Sequence, residues 1–145
     1  MAMGIALVTG ATSGIGEEFC WQLAAAHHDL VLVARREEKL RKLAEDLRQI
    51  AGVKAEVIVA DLGVAGDVDR VAQRLSDEQS PVGLLVNNAG FALGCSFIDN
   101  TIEAEENALD VMVRAPMVLS YAAIDAMRAR GRGAIINVSS VASET

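Results

Sequence analysis

The sequence predicts an α/β domain whose five parallel strands form one doubly wound sheet. Three observations lead there. Short apolar runs alternate with helical stretches of ten or more residues, which implies parallel pairing through right-handed crossovers. The apolar runs are continuous rather than alternating, as in strands covered on both faces. A glycine-rich turn follows the first run and opens the first helix.

The elements follow in order. GIALVTG is the first strand. Residues 14–28 form a helix, with Ile15, Phe19, Leu23 and Ala26 expected on its inner stripe. DLVLVAR is the second strand. The helix over residues 37–50 is amphipathic, with Leu40, Leu43, Leu47 and Ile50 on one face and charges on the other. KAEVIVAD is the third strand and ends at Asp61. The helix over residues 67–79 buries Val68, Val71, Ala72 and Leu75, and Pro81 punctuates it. VGLLVNNAG is the fourth strand. A long helix covers residues 101–130, acidic at its start (Glu103, Glu105, Glu106) and basic at its end (Arg128, Arg130), as the helix dipole favours. Pro116 within it predicts a kink or local break. Gly131 and Gly133 stop it, and AIINV is the fifth strand. The expected strand order is 3-2-1-4-5.

Composition narrows the function. A chain of 145 residues is a single domain, residues 1–145. Hydrophobic residues make up 52%, enough for a packed core. The net charge of -7, with scattered cations, argues against a nucleic-acid partner. No apolar run approaches a membrane span, and the first ten residues do not read as a signal peptide. Cys20 and Cys95 fit no metal spacing, so no metal is expected. His27 and His28 close the first helix, where a histidine meets the dipole. A reducing, cytoplasmic setting is the expectation.

The turn after the first strand carries glycines at 10, 14 and 16. Gly10 permits the tight bend, Gly14 lets backbone approach a pyrophosphate, and Gly16 lets helix pack close to strand. The following helix N-terminus attracts anions. These features make the sheet Rossmann-type. An NAD site places a carboxylate after the second strand; Arg35 and Arg36 stand there instead. A guanidinium fork suits a 2′-phosphate, so NADP(H) is the expected cofactor. The alternative is that both arginines open a solvated helix and pair with Glu37 and Glu38.

Thr9-Gly10-x-x-x-Gly14-Ile15-Gly16, Asp61-Leu62, Asn87-Asn88-Ala89-Gly90 and Ile136-Asn137-Val138-Ser139-Ser140 occur in that order, each at a strand end. Together they resemble the short-chain dehydrogenase/reductase family. The resemblance implies that Gly10, Thr12, Ser13, Gly14, Ile15 and Gly16 bind the cofactor phosphates. It implies that Asp61, beside Leu62, bonds the adenine amino group. Asn88, Ala89 and Gly90 would line the nicotinamide ribose, and Asn87 would fix the fourth strand. Ser140 aligns with the catalytic serine that holds a carbonyl or alcohol substrate. The long helix would lie in a homo-oligomer interface, with Leu109, Met112, Val113, Leu119 and Met127 as core or subunit contacts.

Two departures stand out. The family's Tyr-x-x-x-Lys pair would fall beyond Thr145, so the 145-residue chain is expected to be inactive alone, truncated after strand five, and part of a longer protein. Met112 stands where the family usually has an asparagine, and a thioether cannot replace an amide's hydrogen bonds. The first functional reading is an NADP(H)-dependent dehydrogenase/reductase. The alternative is a dinucleotide-binding module without catalysis, a pseudoenzyme.

Overall fold

A computed structural model describes residues 4–140; the segment expected to lead on from Ser140 lies outside them. Strands β1 (Ile5–Thr9), β2 (Asp29–Ala34), β3 (Ala55–Val59), β4 (Val82–Asn87) and β5 (Ala134–Asn137) form one sheet in the order β3-β2-β1-β4-β5. Every pairing is parallel, as the crossover helices require. The chain starts in the middle, runs outward to β3, then returns to the other side of β1. That reversal leaves a crevice between the C-terminal ends of β1 and β4, where ligands of such sheets bind.

Each face of the sheet has its own core. Helices α1 (Gly14–Ala25) and α2 (Glu37–Asp46) pack over Ala6, Val8, Leu30, Leu32 and Val86. Helices α3 (Ala65–Leu75) and α5 (Ala115–Arg130) pack over Leu7, Val31, Val33 and Leu85. Burying both faces explains why the strands read as unbroken apolar runs. Leu7, Leu32, Leu40, Leu85 and Leu119 are fully enclosed, and each such side chain contributes roughly 1.5–3 kcal/mol against exposure.

Two helical details depart from the sequence pattern. The inner stripe of α1 is Gly16, Cys20 and Ala24. Ile15 is 60% exposed, and Phe19 and Leu23 pack only at the margin. Small residues win that face because α1 sits almost on the backbone of the preceding turn. Past α2, residues Leu47–Ala51 make a wide π turn. The extra residue rotates Ile50 outward, 75% exposed, while Leu40, Leu43 and Leu47 stay buried.

The local break predicted at Pro116 is present. The long helix is α4 (Ile102–Leu109), a π turn over Asp110–Arg114, then α5. Pro116 has no N–H for the Met112 carbonyl four residues earlier, and its ring would strike that oxygen in a regular helix. The π turn relieves the conflict, with Ala115 N–H donating to the Asp110 carbonyl. The same turn divides the expected apolar stripe: Leu119 and Met127 are buried, whereas Leu109 and Val113 are exposed.

Candidate functional site

The site grows from the end of β1. Thr9 is a buried polar residue. Its hydroxyl donates to the Val86 carbonyl at 3.4 Å and accepts the N–H groups of Asn88 at 3.0 Å and Ala89 at 3.1 Å. One donor and two acceptors are thereby all used. This side chain joins the tips of β1 and β4.

Gly10 then turns the chain at φ +62°, where a Cβ would lie 2.9 Å from the Ala89 Cα. Ser13 caps α1: its hydroxyl donates to the Gly10 carbonyl at 2.8 Å and accepts the Gly16 N–H at 3.3 Å. Gly16 lies directly beneath, with a hypothetical Cβ 2.0 Å from the Gly10 oxygen. Only hydrogen fits there, so helix and turn touch backbone to backbone.

Asn88 completes the arrangement. Its amide Nδ2 lies 3.3 Å from the Thr9 carbonyl, 3.1 Å from the Gly10 carbonyl and 3.1 Å from the Ser13 hydroxyl. The side chain is thus turned to the glycine turn and does not line the cleft beside it. Asn87 performs a parallel task on the other side, donating to the Ser120 hydroxyl at 3.1 Å and the Asn137 side-chain Oδ1 at 2.9 Å. It ties β4 to β5 and α5, the strand-fixing part expected of it.

A cleft of about 370 Å³ opens above this framework. Gly10, Thr12, Ser13 and Gly14 form its floor. Arg35 and Arg36, at the end of β2, and Lys39, in the first turn of α2, line one end. Asp61 and Leu62 contribute from β3, Ala89 and Gly90 from β4, and Val111 from the π turn. Ile15, Gly16 and Asn88 do not line it: Ile15 points to solvent, and the other two support the turn from below. Ser140 is exposed beyond β5 and is also not part of the lining.

The electrostatics of the cleft are uneven. Glu37 pairs with Arg41 at 3.0 Å, and among the described residues neither Arg35 nor Arg36 joins an ion pair, so the expected alternative pairing with Glu37 and Glu38 is not formed. The Asp61 carboxylate accepts the Gly63 N–H at 2.9 Å. Its own N–H donates to Asp67 at 2.8 Å. That bond first, and then Arg70, hold the Asp67 carboxyl below its ordinary range. Met112 covers Gly90, its Sδ 3.5 Å from where a Cβ would stand.

Sequence reasoning placed Thr9 at the head of a motif without giving it a role, and did not single out Lys39. A hydroxyl residue ending an apolar strand was the available signal for Thr9. Lys39 was hidden because a cation in the first turn of a charged helix looks like solvated surface.

The glycine turn on a helix N-terminus at a sheet reversal has parallels among known proteins. The family model described as short chain dehydrogenase matches residues 4–145. The chain belongs to the short-chain dehydrogenase family. It is 31% identical over 137 residues to an uncharacterized oxidoreductase of Staphylococcus epidermidis, covering 94% of this chain and 58% of that protein. It is 32% identical to a very-long-chain 3-oxoacyl-CoA reductase of Anas platyrhynchos, covering 94% and 45%. Among solved structures, a short-chain dehydrogenase from Sphingobium yanoikuyae in complex with NADPH superposes with a TM-score of 0.92 at 38% identity, covering 96% of this chain and 54% of that one. The chain therefore spans about half the length of the family relatives it matches. No helix among the described residues is long and apolar enough to cross a membrane.

Proposed function

We propose that the chain is the cofactor-binding part of an NADP(H)-dependent oxidoreductase acting on a carbonyl or alcohol substrate. The observation that carries this is the polarity of the cleft. Its floor is a glycine turn that presents backbone amides at a helix N-terminus, and its end holds two unpaired guanidinium groups. A dinucleotide pyrophosphate fits the first, and a 2′-phosphate fits the second. A carboxylate in place of Arg35 would repel that phosphate.

In this reading Gly10, Thr12, Ser13 and Gly14 hold the pyrophosphate, with Ile15 and Gly16 completing the first turn of α1. Arg35 and Arg36 hold the 2′-phosphate. Asp61, oriented by its bond to the Gly63 N–H, accepts the adenine amino group beside Leu62. Ala89 and Gly90 offer the backbone next to the nicotinamide ribose, and Asn88 keeps that segment in register with the glycine turn. When bound, the nicotinamide supplies the hydride chemistry. Ser140 orients the substrate oxygen. Similar proteins favour NADPH and carbonyl compounds: the Sphingobium protein is an NADPH complex, and the Anas platyrhynchos protein is a very-long-chain 3-oxoacyl-CoA reductase.

The exposed residues Leu109, Val113, Met117, Tyr121 and Ile124 recur at helical spacing along the long helix. We read this face as the contact between two copies in the full-length protein. Sedimentation showing only monomer at micromolar concentration would remove that reading. The cofactor reading is tested by titrating the full-length protein with NADPH and NADH, following nicotinamide fluorescence. NADPH is expected to bind at least about tenfold tighter, the worth of one charged hydrogen bond. Equal or tighter NADH binding overturns it.

A further inference from the structure

The end of the cleft formed by Arg35, Arg36 and Lys39 conflicts with ordinary helix design. All three side chains are exposed, and among the described residues none of them joins an ion pair. The other cations of the same stretch do: Arg41 with Glu37 at 3.0 Å, Lys42 with Asp46 at 3.1 Å, and Arg48 with Glu45 at 3.5 Å. Lys39 follows Arg36 by three positions and Arg35 by four. Arg36 caps α2 in an extended conformation, and Lys39 lies in its first turn. They sit at the positive end of the α2 dipole, where cations are least favoured. Arg36, the cap of α2, makes no side-chain bond to the helix in return.

A local arrangement that works against folding without compensation marks a place selected for something else. Here the three cations share one cleft. We propose that Lys39 is a specificity-determining residue, its ammonium closing on the 2′-phosphate from the α2 side while Arg35 and Arg36 hold it from the end of β2. This rests on the NADP(H) reading above. Near neutral pH a phosphate monoester carries about -1.5 to -2 charges, more than one guanidinium neutralises. A lysine adds a compact charge on a flexible stem, which needs no fixed fork geometry.

The experiment compares wild type, Lys39→Gln and Lys39→Arg as full-length protein, by dissociation constants for NADPH and NADH at two salt concentrations and by melting temperature without ligand. Lys39→Gln is expected to weaken NADPH about tenfold, to leave NADH within about twofold, and to flatten the salt dependence of NADPH binding. Lys39→Arg keeps most of the affinity. The ligand-free melting temperature of Lys39→Gln is unchanged or higher, because a cation has left the positive end of the α2 dipole. If wild type prefers NADPH and Lys39→Gln loses nothing, or loses both cofactors equally, the role of Lys39 is overturned while the cofactor reading stands. A fall of several degrees in melting temperature assigns Lys39 to the fold and also overturns it. Wild type without a preference for NADPH overturns both.

Discussion

Gly16→Ala is the substitution on which the geometry speaks most plainly. A Cβ at that position would stand 2.0 Å from the Gly10 oxygen, 2.5 Å from the Asn88 amide nitrogen and 2.8 Å from the Gly10 carbonyl carbon. Ordinary contact lies well beyond 3 Å, so α1 must move off the turn by more than an ångström, roughly the deficit against van der Waals spacing. Forcing a methyl into a closed site costs about 1–3 kcal/mol, and displacing the Asn88 amide adds about 1 kcal/mol. The sum of about 2–4 kcal/mol lowers the melting temperature of a full-length protein by roughly 5–15 °C. Gly14→Ala is the control. Nothing stands within 4 Å of a Cβ there, and alanine is the better helix former by up to about 1 kcal/mol. Its melting temperature is expected to hold or rise, while NADPH affinity falls because the methyl enters the cleft. Circular dichroism melts and NADPH titrations of both variants decide the matter. If Gly16→Ala melts within about 1 °C of wild type, the close seating of α1 on the turn is not the constraint described.

Other tests are simpler. His27 closes α1 at φ +69°, a left-handed conformation, with its N–H bonded to the Ala24 carbonyl at 2.9 Å. His27→Gly is expected to stabilise by about 0.5–1 kcal/mol, read as a higher denaturation midpoint; a lower midpoint contradicts the assignment. Burial first, and then the Glu17 carboxylate, push the Cys20 thiol up to about 12, whereas Cys95 is exposed. Iodoacetamide at pH 8 should therefore label Cys95 alone in the native protein, and both thiols in denaturant; equal native labelling refutes the packing of α1. The Asp67 carboxyl lies below its ordinary value of 3.8 because the Asp61 N–H, then Arg70, favour its ionised form. Its contribution is complete above that ordinary value and is lost as pH falls through the lowered folded value. Asp67→Asn should accordingly separate from wild type in melting temperature at pH 7 and converge with it in strong acid; a gap that persists there points to packing instead.

Much of the fold was legible because period and punctuation were unambiguous. Continuous apolar strands, helical stretches between them and a glycine turn after the first strand lead to a parallel sheet, and the observed order agrees. The inner face of α1 was not legible. Ile15, Phe19 and Leu23 form a stripe as convincing as Gly16, Cys20 and Ala24, and hydropathy prefers the larger residues. What decides is the distance between two backbones, which no hydropathy pattern records. Ile50 was misplaced for a related reason: a regular period assumes a regular helix, and the π turn over Leu47–Ala51 adds a residue to the count. In the site, motif positions identified which residues gather but not how each is used. Asn88 belongs to the expected group, yet its amide is directed at the glycine turn. Lys39 lines the cleft beside Arg35 and Arg36, a neighbourhood that belongs to the assembled layers.

The bonds that hold the glycine turn have a consequence for how the molecule comes into being. Thr9 and Asn88 are 79 positions apart in the chain, so the bend that faces the anion takes its final form only after the fourth strand has docked. Closing so long a segment is slow compared with forming a local turn. A peptide holding only the first strand and helix would carry every residue of the glycine pattern and still lack the amide that braces it. Competence to grip a dinucleotide should therefore emerge late in refolding, together with the central sheet and not before it.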